Sequence, residues 1–208
     1  MKLYFVRHGR TEWNEEGRFQ GAGGDSPLTE QAIIDLHHLG KALASIPFDA
    51  IYSSDLNRAV SSAQILADEN KKDVTVESVK EIREWNLGSL EGQKIDLIAS
   101  IYPKQIEAFR HNLANFHSQM FGGESLYAMT HRVVAFIQSL KDKGYENVLI
   151  VGHGANLVAS IRTLLGYEPA QLRLAGGLKN GSVTILETED FQHFDLVSWN
   201  DTSYLEEE

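Results

Sequence analysis

Lys2-Leu3-Tyr4-Phe5-Val6-Arg7-His8-Gly9 and Asn147-Val148-Leu149-Ile150-Val151-Gly152-His153-Gly154 decide the reading of this chain. Each begins as a short apolar run, which reads as a buried strand. Each run ends in a histidine with a glycine after it, and glycine lets the backbone turn sharply there. In sheets covered by helices, ligand sites form at the carboxyl ends of strands. If the two strands are neighbours, the two imidazoles converge.

Outward from these runs, strand and helix signals alternate. Ile33, Leu36, Leu39 and Leu43 recur at helical spacing within Thr29 to Ala44. Ala50 to Tyr52 reads as a strand. Asp55 to Ala67 reads as a helix with Asp55 as its N-cap. Val74 to Val76 reads as an edge strand. Lys94 to His117 reads as two helices, the second opened by Pro103. Glu124 to Lys143 reads as a long helix stopped near Gly144, and Asn156 to Leu165 as another. Ser182 to Glu187 and Phe194 to Ser198 read as a terminal hairpin. This order predicts an α/β three-layer sandwich. The sheet is expected to be mostly parallel, with one antiparallel strand and helices on both faces. No repeat or linker divides residues 1–208, so a single domain is expected.

Composition narrows the function. Hydrophobic residues make up 42% of the 208, enough for a sizeable core. With no cysteine, disulfides, thiolate zinc sites and a cysteine nucleophile are excluded. The N-terminus turns polar too early for a signal peptide, and no run approaches the roughly 18 residues of a membrane helix. A cytoplasmic protein with no membrane or nucleic-acid partner is expected. Its 19 Lys and Arg against 29 Asp and Glu leave a net charge of −10, so a phosphate site needs its own local cluster of positive charge.

Arg7, His8, Arg58 and His153 supply such a cluster. Phosphoryl transfer through histidine needs a neutral imidazole, donors around the non-bridging oxygens and an acid for the departing alkoxide. His8 suits the nucleophile. Arg7 offers the planar fork that matches phosphate, and neighbouring guanidinium groups disfavour the imidazolium. Arg58 falls near the start of a helix, where anions are favoured. His153 suits a donor to a phosphate oxygen. Glu84, in Ile82-Arg83-Glu84-Trp85-Asn86, sits between bulky neighbours that withdraw it from water, the setting of a general acid. Singly, Arg58 and Glu84 read more simply as surface residues; their combination in order changes that balance. His37, His38, His111, His117, His131 and His193 lack ligand spacing, so no metal and no cofactor is expected.

These residues lie in blocks that resemble the histidine phosphatase superfamily, the phosphoglycerate mutase-like fold, over most of the chain. Arg7-His8-Gly9 with Thr11, Trp13-Asn14 and Phe19-Gln20-Gly21 resembles its opening signature. Asp25-Ser26-Pro27-Leu28-Thr29, Ser53-Ser54-Asp55-Leu56-Asn57-Arg58-Ala59, and Glu84 with Gly88 and Glu91-Gly92 follow in the expected order. Gly123-Glu124-Ser125 with Arg132, then Val151-Gly152-His153-Gly154, complete it. The resemblance implies His8 as phosphohistidine nucleophile and Glu84 as proton donor, then base. It implies Arg7, Arg58, His153 and Asn14 as phosphate ligands. Gln20 and Gly21 would line the mouth, and a small helical cap, about 94–122, would select the substrate. Arg10 departs from the pattern, standing where an acidic residue is common, and is read as idle. Gln31-Ala32-Ile33 continues the helix where a glycine is usual.

A small phosphorylated metabolite is the expected partner, handled by a monomer or homodimer. Hydrolysis is favoured over mutase chemistry. The cap is short and offers mainly Lys94, Lys104 and Arg110, and the tail ends in Glu206-Glu207-Glu208, which would repel a bisphosphate. The alternatives are a cofactor-dependent phosphoglycerate mutase, a ribazole-phosphate phosphatase of cobalamin synthesis, and a feeble enzyme that binds phosphorylated ligands. Tyr102, Phe109, Phe116, Met120 and Phe121 are candidate pocket walls, though such aromatics more often pack.

Overall fold

The first apolar run forms β1 (Lys2–Arg7), with its four inner residues buried. In the computed structural model, which describes residues 1–205, a polar turn and the short helix α1 (Glu12–Glu15) follow. Thr11 and Asn14 cap α1 reciprocally. The Thr29 hydroxyl, accepting from the Ala32 amide, starts α2 (Glu30–Leu43), which buries Ala32, Leu36 and Leu39. Then come β2 (Ala50–Ser54), α3 (Asn57–Glu69) and β3 (Val76–Val79). The cap contributes α4 (Ile95–Ile101) and α5 (Pro103–His111), with Pro103 at the first helical position as expected. The chain closes with α6 (Leu126–Gln138), β4 (Asn147–Gly152), α7 (Gly154–Leu164), β5 (Val183–Glu187) and β6 (Asp195–Asp201).

The strands form one sheet in the order β3-β2-β4-β1-β5-β6. β1, β2, β3 and β4 pair in parallel, and β5 runs antiparallel to both its neighbours. Strand alternation assigns the two faces. Tyr4, Val6, Leu149 and Val151 pack against α2 and α3 through Leu36, Leu39, Ala59 and Ala63. Leu3, Phe5, Val148 and Ile150 pack on the opposite face against α6 and α7 through Val133, Ile137, Leu157 and Ile161. A third cluster lies beneath the cap, where Trp85, Leu87 and Phe116 meet Ala155 and Ala159 of α7.

Three local expectations are corrected. Asp55 does not cap α3: Leu56 occupies that position with no side-chain cap. The Asp55 carboxylate instead takes the fork of Arg83 at 2.9 and 2.6 Å, a bidentate pair that uses both its oxygens. The third strand begins at Val76 rather than Val74, because pairing to β2 starts with Ile51 opposite Val76. The long helix is shorter than its pattern: Ser125 caps α6, which ends at Gln138, and a 3₁₀ turn (Lys141–Lys143) follows. Gly144 then takes a left-handed φ of 70°. Among the described residues, no helix is long and apolar enough to cross a membrane. Tyr204 donates its hydroxyl to the Gly181 carbonyl, whereas Glu206, Glu207 and Glu208 lie outside the described residues.

Candidate active site

The parallel register of β1 and β4 sets Arg7 opposite Gly152. The next residue of each strand is a histidine, and the His8 amide donates to the Gly152 carbonyl at 2.9 Å. The two imidazoles therefore meet, with ring centroids 5.2 Å apart. Both rings are buried. His8 Nδ1 lies 2.7 Å from the Gly9 carbonyl. A carbonyl only accepts, so Nδ1 carries the proton and Nε2 keeps its lone pair. Desolvation, followed by the charges of Arg58 and Arg7, holds His8 well below the ordinary imidazole range. Desolvation also dominates at His153, with Arg58, His8 and Arg7 adding to it. Both histidines are thus neutral at physiological pH.

Arg7 leaves the end of β1 half-buried. One of its Nη atoms donates to the Leu178 carbonyl. Burial first, and the nearby arginines after it, push its pKa down to about 10. Its guanidinium lies so close to the start of α7 that a Cβ on Gly154 would meet Arg7 Cζ and Nε at 3.0 Å and push the guanidinium aside. Arg58, in the first turn of α3, holds the loop after Phe19. It donates to the Gly24 carbonyl, the Asp25 carboxylate at 2.9 Å and the Gly21 carbonyl at 3.0 Å. Arg7 Nε, Arg58 Nε and both ring nitrogens of His153 are buried without a protein partner among the described residues. Three of these are donors beside His8, namely Arg7 Nε, Arg58 Nε and the one ring nitrogen of neutral His153 that carries its proton, and an anion with several oxygens would satisfy them.

Glu84 is buried at 5% exposure, at the N-terminus of α7. Oε1 accepts from the Trp85 amide at 2.7 Å and the Asn156 amide at 2.8 Å, and Oε2 from the Ala155 amide at 2.9 Å. The carboxylate thus occupies the place of a helix cap. Two residues brace its backbone. Arg132, paired with Glu124 at 2.9 and 3.0 Å, donates to the carbonyls of Glu81, Arg83 and Glu84. The Asn156 side-chain amide donates to the carbonyls of Ile82 and Arg83.

A cavity of about 170 Å³ opens over His8. Arg7, Asn14, Gln20 and Glu84 line it with His8. Asn14 Oδ1 accepts from the Asn180 side chain, and Gln20 is held by Thr11 and Ser26. Gly21, Arg58 and His153 stand behind the wall rather than on it: Gly21 gives its carbonyl to Arg58, and His153 is sealed beside His8. Of the cap aromatics, Phe109 alone lines the cavity. Phe116 and Phe121 are core, and Tyr102 and Met120 face solvent. Lys94, Lys104 and Arg110 are all exposed and line no part of it. Two arginines that the sequence reading passed over, Arg18 and Arg173, do line it. Neither stands in one of the quoted blocks. Arg10 borders a separate cavity with Lys179 and Asn180. Among the described residues, no group of three or more acidic, histidine or cysteine side chains is placed to hold a metal ion.

Comparison with known proteins agrees with this geometry. A family model described as histidine phosphatase superfamily (branch 1) matches residues 3–202. The chain is 33% identical over 195 residues to a probable phosphoglycerate mutase GpmB of Salmonella paratyphi A, covering 92% of this chain and 87% of that one. The structure of YhfR from Bacillus stearothermophilus superposes with a TM-score of 0.88 at 31% identity, covering 98% of each chain. A mycobacterial glucosyl-3-phosphoglycerate phosphatase in complex with VO3 gives 0.87 at 27% identity, covering 96% of this chain and 98% of that one.

Two outcomes follow from the site as described. His8 and His153 titrate well below 6.5 when folded, so below pH 6.5 the unfolded chain binds more protons than the folded one. Their contribution to stability is complete above that pH and is lost as pH falls, by at most about 1.4 kcal/mol per pH unit for each ring. Calorimetry of the wild type is expected to show Tm falling between about pH 7 and pH 5.5, and His153→Asn a shallower fall; equal slopes contradict this assignment. Arg132→Met should loosen the segment that carries Glu84. If so, turnover of phosphomonoesters with poor leaving groups drops roughly 10- to 100-fold, and good leaving groups suffer less. A uniform loss would mean that Arg132 only supports the fold.

Proposed function

We propose that this chain, which belongs to the histidine phosphatase superfamily (branch 1), hydrolyses phosphomonoesters of small metabolites through a phosphohistidine at His8. The observation that carries this reading is the fixed tautomer of His8. Nδ1–H is held on the Gly9 carbonyl, and Nε2 is left bare beside the unpartnered donors of Arg7, Arg58 and His153.

His8 Nε2 attacks phosphorus, and the bond from phosphorus to the ester oxygen breaks. Arg7, Arg58 and His153 bind the three non-bridging oxygens, over which the transition-state charge spreads. Asn14 and Gln20 line the route to them. Glu84 gives its proton to the departing alkoxide. Its Oε2, which accepts one amide rather than two, is the oxygen with room for that proton. Water then attacks the phosphohistidine and gives a proton back to Glu84, and phosphate leaves with His8 neutral again. No cofactor is required: the arginines supply the positive charge.

A mutase would have to hold a second anion from the cap and keep water from the phosphohistidine. The exposed Lys94, Lys104 and Arg110 give the cap no cation over the cavity, and Arg18 and Arg173, which do line it, come from outside the cap; this favours hydrolysis. The mutase is the second reading, favoured by the name of the relative at 33% identity. The two separate when the protein is given a panel of phosphomonoesters, including 3-phosphoglycerate with and without 2,3-bisphosphoglycerate. Free phosphate without 2-phosphoglycerate is the expected result. Bisphosphate-dependent isomerisation faster than phosphate release would overturn it.

A further inference from the structure

Four arginines lie on or behind the walls of the His8 cavity, and three are engaged. Arg7 donates to the Leu178 carbonyl, Arg18 pairs with Glu16 and donates to Gly92, and Arg58 grips Asp25 and the loop before it. Arg173 differs. Among the described residues its side chain makes no hydrogen bond and no ion pair, and its Nε is buried without a partner. Its guanidinium lies over the ring of Phe109, 4.9 Å from the centroid, and it lines the cavity.

Stacking alone does not account for this. Arg162 is the natural contrast: it too has an unpartnered Nε, but it is sandwiched between the rings of Tyr167 and Trp199, at 4.7 and 4.3 Å, and lines no part of the His8 cavity. Arg173 has one ring beneath it and open space beside it. The half-buried guanidinium thus keeps one buried donor, Nε, with nothing to meet, which is costly unless an acceptor reaches it. Burial already lowers its basicity, and the Glu84 carboxylate is the charge that opposes this. Glu84, among the described residues the one acidic side chain lining the cavity, spends both oxygens on backbone amides.

Position tells which part of a substrate Arg173 meets. The donors around His8 come from the strand ends and the start of α3. Arg173 comes from the segment between α7 and β5 and leans on Phe109 of the cap. Phe109 continues into an apolar wall with Phe19, Leu87 and Ile95. That wall and Arg173 share one cavity with His8, the space left for the alcohol half of an ester attacked there. We propose that Arg173 is a specificity-determining residue that receives a carboxylate on the leaving group, so that the preferred substrates are phosphomonoesters of short hydroxy acids. This rests on the phosphomonoesterase reading and narrows its substrate class. The small cavity, about 170 Å³, suits a leaving group of a few carbons.

The test uses two probes that differ at one group. 3-Phosphoglycerate carries a carboxylate where glycerol 3-phosphate carries a hydroxymethyl. Titration calorimetry on the full chain bearing His8→Ala, which consumes neither probe, should show 3-phosphoglycerate binding roughly 10-fold more tightly or better. Adding Arg173→Met should bring the two affinities within about two-fold of each other, and Arg173→Lys should recover part of the preference. The proposal is overturned if the His8→Ala protein shows no preference, if the preference survives Arg173→Met, or if both probes weaken equally. Should Arg173→Met fail to fold, Arg173→Gln replaces it and the same ratios decide. Failure of the phosphomonoesterase reading shows separately, as no phosphate release by the wild type, and leaves these binding ratios standing.

Discussion

The pairing of β1 with β4 is the constraint on which the rest of the molecule depends. Parallel register places Arg7 against Gly152, so both chains leave the sheet at the same level and each delivers a histidine there. Neither histidine could be buried neutral without the other elements. α2 and α3 cover one face of the strands and α6 and α7 the other, and both rings are buried where the strands end. Desolvation is then the largest cause holding both imidazoles neutral, ahead of the arginine charges. A slip of one residue in this pairing would exchange the two faces and separate the histidines.

The N-terminus of α7 is the second hub. His153 precedes the helix, Gly154 admits the Arg7 guanidinium, and the next two amides hold the Glu84 carboxylate. One short stretch thereby fixes the second histidine, the first arginine and the acid relative to one another. Arg132 and Asn156 hold the Glu84 segment from behind. In the proposed chemistry this matters because acid and nucleophile act on opposite ends of one breaking bond, and little freedom in their separation is tolerable.

The histidine pair was legible in the sequence because two unmixed apolar runs ended alike, and strand ends are where α/β sheets place their ligands. The antiparallel strand was legible because a polar turn joined the last two strand patterns. Asp55 misled because an acidic residue ahead of a helix has two equally local uses: capping the helix or pairing with a guanidinium. Arg83, distant by 28 residues, decided between them. Glu84 could be named from its neighbours, but not its capping of α7, which depends on a partner 72 residues away. Arg173 left no signal, since it lies in an irregular segment and its meaning comes from Phe109 and the cavity.

The central claim is that His8 Nε2 takes the phosphoryl group. The direct measurement is rapid acid-free quenching of the protein with an activated phosphomonoester, followed by mapping of the phosphorylated residue by mass spectrometry. The account predicts one phosphoryl group on His8, stable to base and labile to acid. It also predicts accumulation in Glu84→Gln, which retains the attack on an activated ester but lacks the base for water, and none in His8→Ala. Turnover at full rate with no phosphorylated His8 at any time, or activity surviving His8→Ala, would contradict it.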